Sequence, residues 1–124
     1  MDYSQYKKRL DDMMATAKQA LVTTLLQSKE QKWQQEADKL QHLSPSDFVD
    51  YACTLADPRI EPLLSELRRI DAALCQYDIG LYGICSDCEE EIELERLDAD
   101  PCVQRCGKCE AKRRAKKRQD LFAL

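Results

Sequence analysis

Two pairs of cysteines, Cys85-Ser86-Asp87-Cys88 and Cys106-Gly107-Lys108-Cys109, constrain this chain more than any other feature. Seventeen residues separate the pairs. Two residues between cysteines let one tight turn aim both sulfurs at a single ion, and two such knuckles complete a tetrahedron. Gly107 helps backbone amides approach the thiolates, whereas Glu89 follows the first knuckle where a glycine would turn more easily. Four thiolates fill the coordination shell and leave no position open for water or substrate, so the spacing predicts one structural zinc ion. Such binding, about 10–16 kcal/mol in zinc-finger peptides, is enough to fold a small module. The alternatives are a thioredoxin-like dithiol or four unrelated core cysteines. Cys102 lies four residues before Cys106 and is either a competing or oxidant-sensitive thiol or a small bystander. Cys53 and Cys75 read as small apolar residues of helices.

The remainder of the 124 residues reads as helix. Three glycines and four prolines favour long helices over many short strands. A charged fraction of 34% suits helices with much surface in water. Tyr6, Leu10, Met13, Ala17, Leu21 and Leu25 keep helical spacing, and Trp33, Ala37 and Leu40 resume it, so one helix is expected over residues 3–43. Its stripe is thin across QSKEQKWQQE. Ser44 (N-cap), Pro45 and Asp47 then mark a new helix start, with Leu43 and Phe48 as its hydrophobic staple. Ala52, Ala56, Ile60, Leu63, Leu67, Ile70, Leu74 and Tyr77 form a heptad-like seam, kinked or restarted near Pro58 and ended by Gly80 and Gly83. The expected fold is therefore mainly α. A long antiparallel helical hairpin (a coiled coil) over residues 1–80, on the order of 50 Å long, has its tip near 43–52. Residues 81–124 supply the four-cysteine module and a last helix from about 108 to 122.

Charge is segregated beneath a net −4. Asp87 to Asp100 holds eight acidic residues and one basic, and Arg105 to Arg118 holds eight basic and one acidic. Overall acidity argues against a protein that simply coats nucleic acid. No apolar run approaches the roughly 18 residues that span a bilayer, and MDYSQYKKRL has no apolar signal region, so a cytoplasmic protein is expected. Seven cysteines then point to metal or redox chemistry instead of a disulfide framework. His42, the single histidine, reads as a surface residue; no Ser/His/Asp set or phosphate-cradling glycine loop is present, and no enzymatic activity is expected.

The chain resembles the DksA/TraR family of bacterial transcription regulators. Tyr82-Gly83-Ile84-Cys85, Ile92, Arg96-Leu97, Pro101 and Cys106-Gly-Lys-Cys109 carry one part of the likeness, and Asp47-Phe48-Val49-Asp50-Tyr51-Ala52 fits the family's Asp-x-x-Asp-x-Ala tip pattern. The chain departs at Glu89, where the family usually has Gly, and at Asp100, where many members carry Arg. The resemblance implies a monomer that inserts its hairpin into the secondary channel of RNA polymerase. Asp47, Asp50 and Ala52 would then act near the catalytic centre to alter initiation, often with the alarmone ppGpp, without reading promoter DNA by sequence. Asp47 also has a structural role as the third residue of a capping box, and Asp50 and Ala52 read equally as an ordinary exposed acid and a seam residue.

Lys112, Arg113, Arg114, Lys116, Lys117 and Arg118 wrap much of the last helix. They pair with solvent or with Glu90, Glu91 or Glu93, or else grip an acidic polymerase surface or nucleic-acid phosphate. Two other functions remain: a zinc-finger nucleic-acid binder using this helix, and a redox or zinc sensor using Cys102.

Overall fold

The computed structural model describes residues 2–122; Met1, Ala123 and Leu124, the outer ends of the two expected regions, lie outside it. Among the described residues six helices follow in order: α1 (Ser4–Leu26), α2 (Gln31–Gln41), α3 (Pro45–Ala52), α4 (Glu61–Asp78), α5 (Leu94–Ala99) and α6 (Gly107–Phe122). The chain is mainly helical, as expected. Among the described residues the β component is one antiparallel bridge between Ile84 and Glu91, and no helix is long and apolar enough to cross a membrane.

The residues group into two compact units. One is residues 10–72; the other joins 1–9 to 73–124. The division therefore falls at Arg9/Leu10 and Ala72/Ala73, not near residue 80, and the first residues belong with the cysteine module.

Within residues 10–72 the expectation of a single helix over 3–43 is corrected. The helix stops at Leu26, and Ser28 organises the break: its hydroxyl accepts the Glu30 N–H at 3.2 Å and its carbonyl accepts from the Gln34 side chain at 3.0 Å. The chain then doubles back, so that Leu40 and Leu43 share a shallow groove with Ala15, Lys18 and Val22 of α1. The physical reason is burial. Trp33, Ala37 and Leu40 are 5%, 0% and 1% exposed, which a solvated arm would not permit. The thin stripe across QSKEQKWQQE is where the chain bends.

The second expected helix is also divided. Ser44 caps α3, its hydroxyl accepting the Asp47 N–H at 3.4 Å with Pro45 in the first turn, as the sequence predicts. Yet α3 ends at Ala52, and the chain turns through residues 53–60 before α4. Ala56 lies there in the left-handed region at φ +34°, and the Asp57 carboxylate takes the Arg59 N–H and guanidinium. Ala56 is exposed and outside any helix, so the seam runs through Ile60, Leu64, Leu67 and Ile70, with Leu64 replacing the expected Leu63. The two long helices expected of the hairpin are thus each interrupted, after Leu26 and after Ala52.

α3 is held to its neighbours by the Tyr51 hydroxyl, which donates to the Glu36 carboxylate of α2, and by Lys18 of α1 lying 5.1 Å over the Phe48 ring. Arg59 covers Trp33 at 5.7 Å. Beside them, Leu25, Ser28, Trp33, Asp57 and Ile60 help line a cavity of about 370 Å³ at the helix break.

In the other unit, α4 closes with a Schellman motif: Leu81 N–H reaches the Gln76 carbonyl at 2.8 Å and Gly80 N–H the Tyr77 carbonyl at 3.1 Å, with Gly80 at φ +80°. Tyr3, Tyr6, Tyr77 and Tyr82 then cluster, ring centroids 5.3–6.0 Å apart. The Tyr6 hydroxyl donates to Asp98, the Arg9 guanidinium to the Asp98 carbonyl at 3.0 Å, and Tyr82 to the Pro101 carbonyl at 2.7 Å.

Candidate metal centre

The module starts with a glycine that has no substitute. Gly83 sits at φ +81°, and a Cβ there would fall 2.6 Å from the Tyr3 ring. From it the chain runs into a short antiparallel turn. Ile92 N–H bonds the Gly83 carbonyl and Cys85 N–H the Glu90 carbonyl, both at 2.8 Å, so Cys85 and Cys88 stand on the turn between. Glu89 completes that turn at φ +63°, with its N–H on the Cys85 carbonyl at 3.0 Å. This is the departure from glycine noted in the sequence, and a side chain in this region costs about 1–2 kcal/mol.

The second knuckle opens α6. Cys106 precedes the helix, Cys109 lies in its first turn, and the Glu93 carboxylate accepts the Gly107 N–H at 3.0 Å, a negative charge at a helix N-terminus. Ser86 N–H to the Gln104 carbonyl at 2.8 Å and Arg105 to the Asp87 carboxylate at 3.1 Å tie one knuckle to the other. α5, which packs Leu97 at 0% exposure, was not expected from the sequence.

These ties bring Cys85, Cys88, Cys106 and Cys109 together with all four sulfurs within 4.8 Å of one another. Cys85, Cys106 and Cys109 are buried and Cys88 is exposed. The Cys88 and Cys106 sulfurs are 3.8 Å apart. A regular tetrahedron with metal–sulfur bonds of about 2.3 Å has an edge of about 3.8 Å, so the donor set fits a tetrahedral thiophilic ion.

The electrostatics agree. Burial raises the Cys85 thiol, but the backbone N–H groups of Cys106, Cys88 and Asp87 outweigh it and bring it down to about 6. Cys109 is pushed up to about 12, chiefly by its hydrogen bond to Cys106 and then by burial. The Glu90 amide lowers Cys88, yet burial and the neighbouring cysteines raise it on balance. One thiolate is welcome here and four are not, unless a cation sits among them.

Cys102 is buried at 4% exposure, stands outside the group of four, and has its N–H on Asp100. Cys53 is half-buried beside Arg68, and Cys75 is exposed.

No model of a known protein family matches this chain, and no solved structure does. A protein of Aquifex aeolicus (strain VF5), described as uncharacterized, is 40% identical to it over 70 residues. That match takes in 52% of this chain and 48% of the relative, so the chain spans about half of that protein's length.

The other expected site residues are scattered. Asp47 and Asp50 are exposed, three residues apart on α3, whose other side buries Phe48, Val49 and Ala52. Ala52 is 0% exposed and packs inside, so its surface is not available to a partner. Lys112, Arg113, Arg114, Lys116, Lys117 and Arg118 are all exposed on α6, and Arg114 pairs with Glu110 at 3.3 Å. Among the described residues no ion pair joins this cluster to Glu90, Glu91 or Glu93; Glu93 instead serves Gly107 and Arg96. His42 is exposed beside Asp38, at 3.6 Å.

Proposed function

We propose that the four-thiolate site holds one structural zinc ion and that the chain regulates bacterial transcription by binding RNA polymerase through its secondary channel. The exposed carboxylates of Asp47 and Asp50 act near the catalytic centre to modulate initiation. Zinc closes the cysteine unit and supplies no open coordination position, so the chemistry affected belongs to the polymerase. The observation that carries the reading is the acid pair on α3. A capped helix rigidly presents both carboxylates to solvent on one face, and carboxylates of that kind perturb elements around a bound magnesium ion. Ala52 supports them from beneath by packing. Since α1 stops at Leu26, the reading rests on this acid pair and not on the length of a rod.

The test is a pull-down of RNA polymerase by the zinc-loaded protein, alongside a single-promoter transcription assay with Asp47→Asn/Asp50→Asn. Binding by both proteins with altered transcript yield from the parent alone is the expected result. Failure of the parent to bind at micromolar concentration overturns the proposal, as does an unchanged effect from the double variant.

A further inference from the structure

α6 emerges from the second cysteine knuckle, and among the described residues nothing covers it from Ala111 to Asp120. Every residue from Ala111 to Asp120 is exposed, ten in succession, whereas a helix packed on a core hides one stripe. At 3.6 residues per turn, Lys112, Lys116, Arg113, Lys117, Arg114 and Arg118 fan in that order over about 240° of the helix circumference. They form three like-charged pairs at i,i+4, Lys112 with Lys116, Arg113 with Lys117 and Arg114 with Arg118, each of which opposes the helix. α6 carries two acids, Glu110 and Asp120, against these six cations, and among the described residues Glu110 pairs with Arg114. This segment therefore gains most from an anion that approaches from more than one side.

From this arrangement we infer that α6 binds duplex DNA through its phosphates, lying in the major groove without reading base sequence. A helix with its side chains is about 10–12 Å across, and the major groove of B-DNA is about 12 Å wide, with phosphates along both walls. Cations over two thirds of a cylinder match two walls. A flat anionic surface, whether protein or lipid, engages one side only. A lipid surface would also need large apolar residues interleaved with the cations, and Ala115 is the one apolar side chain between Lys112 and Arg118. The deep, narrow major groove of A-form RNA does not admit the helix. The acidic run from Asp87 to Asp100 repels phosphate, so the protein approaches with α6 leading.

The experiment is fluorescence anisotropy of a labelled 20-base-pair DNA duplex with the zinc-loaded full chain, between about 50 and 200 mM salt. Each neutralised phosphate contributes about −0.9 to the slope of log K against log salt, so roughly −4.5 to −5.5 is expected for five or six contacts. Arg113→Gln/Arg114→Gln/Lys116→Gln/Lys117→Gln should bind roughly 100-fold more weakly or less, with a slope shallower by about one per cation removed. Arg113→Lys/Arg114→Lys should bind nearly as the parent does, because the contacts are to charge. Metal content and far-UV circular dichroism show whether each variant is folded; neutralisation removes repulsion, so α6 should persist. No saturable binding at 50 mM salt, a flat salt response, undiminished binding by the quadruple variant, or equal or tighter binding to an RNA duplex of the same sequence overturns the inference. The assay contains no polymerase, so it fails or succeeds independently of the reading of Asp47 and Asp50.

Discussion

The two units of this chain are held by different means. Residues 10–72 bury an aliphatic and aromatic core: Leu10, Leu21, Leu25, Leu40, Leu64, Leu67 and Ile70 are all at or below 2% exposure. At about 1.5–3 kcal/mol for each such side chain, packing accounts for their cohesion. The cysteine unit buries few aliphatics, chiefly Ile92 and Leu97, and fills its interior with Tyr6, Tyr82 and cysteines. A unit so poor in aliphatic core depends on what holds its sulfurs together. Stability in one unit is spread over many small contacts, and in the other the proposed metal ion would concentrate it at four sulfurs.

The strongest way to break that contrast is to remove the ion. Cys109→Ser, or a strong chelator, should abolish metal binding and unfold the cysteine unit, with an effect on the order of the 10–16 kcal/mol that such sites supply. Fluorescence of Trp33, the single tryptophan, should change little, because it lies in the other unit. A collapse of the Trp33 signal on chelation would show that the two depend on a common support. The reciprocal change is Leu64→Ala, which should cost about 2–5 kcal/mol and lower the melting temperature of residues 10–72 while metal stoichiometry stays the same. Loss of metal in that variant would contradict the separation.

The smallest effect sharpens the comparison within the knuckle. Glu89→Gly removes the left-handed strain at φ +63° and should tighten metal binding by about 0.5–1 kcal/mol in chelator competition, after allowing for glycine's greater chain entropy. Glu89→Ala retains the strain and should show no gain. Equal gains from both would point instead to the charge of Glu89.

The four-cysteine cluster was legible because its signal is local. Two residues between cysteines determine a turn whatever surrounds it, and the structure gathers the same four sulfurs. Helix starts were legible for the same reason, as Ser44 and Pro45 show. The breaks were not. Helical spacing across Ser28 and Glu30 is compatible with a continuing helix, and only the advantage of burying Trp33 and Leu40 against distant residues turns the chain back. Ala56 keeps the seam's spacing yet stands outside it, since the Asp57 and Arg59 interactions capture the backbone first. Leu64 takes the place of Leu63 because the restart at Glu61 sets which side of α4 faces inward, and spacing alone does not fix that phase. The role of Tyr3 and Tyr6 against the cysteine unit left no mark in the pattern, although four tyrosines near the two ends of one unit were a signal that could have been followed.

That aromatic cluster also sets an order of events during synthesis. Tyr6 and Asp98 are hydrogen-bonded across 92 residues of chain. At roughly 5–20 residues per second, the amino-terminal tyrosines leave the ribosome about 5 to 20 seconds before their partners exist. Residues 10–72 can fold in that interval, while the segment from Tyr3 to Arg9 waits with its aromatic rings exposed until Tyr77, Tyr82 and Asp98 emerge. The nascent protein is thus open to proteases and chaperones at Tyr3 to Arg9 for as long as Tyr82 and Asp98 are missing.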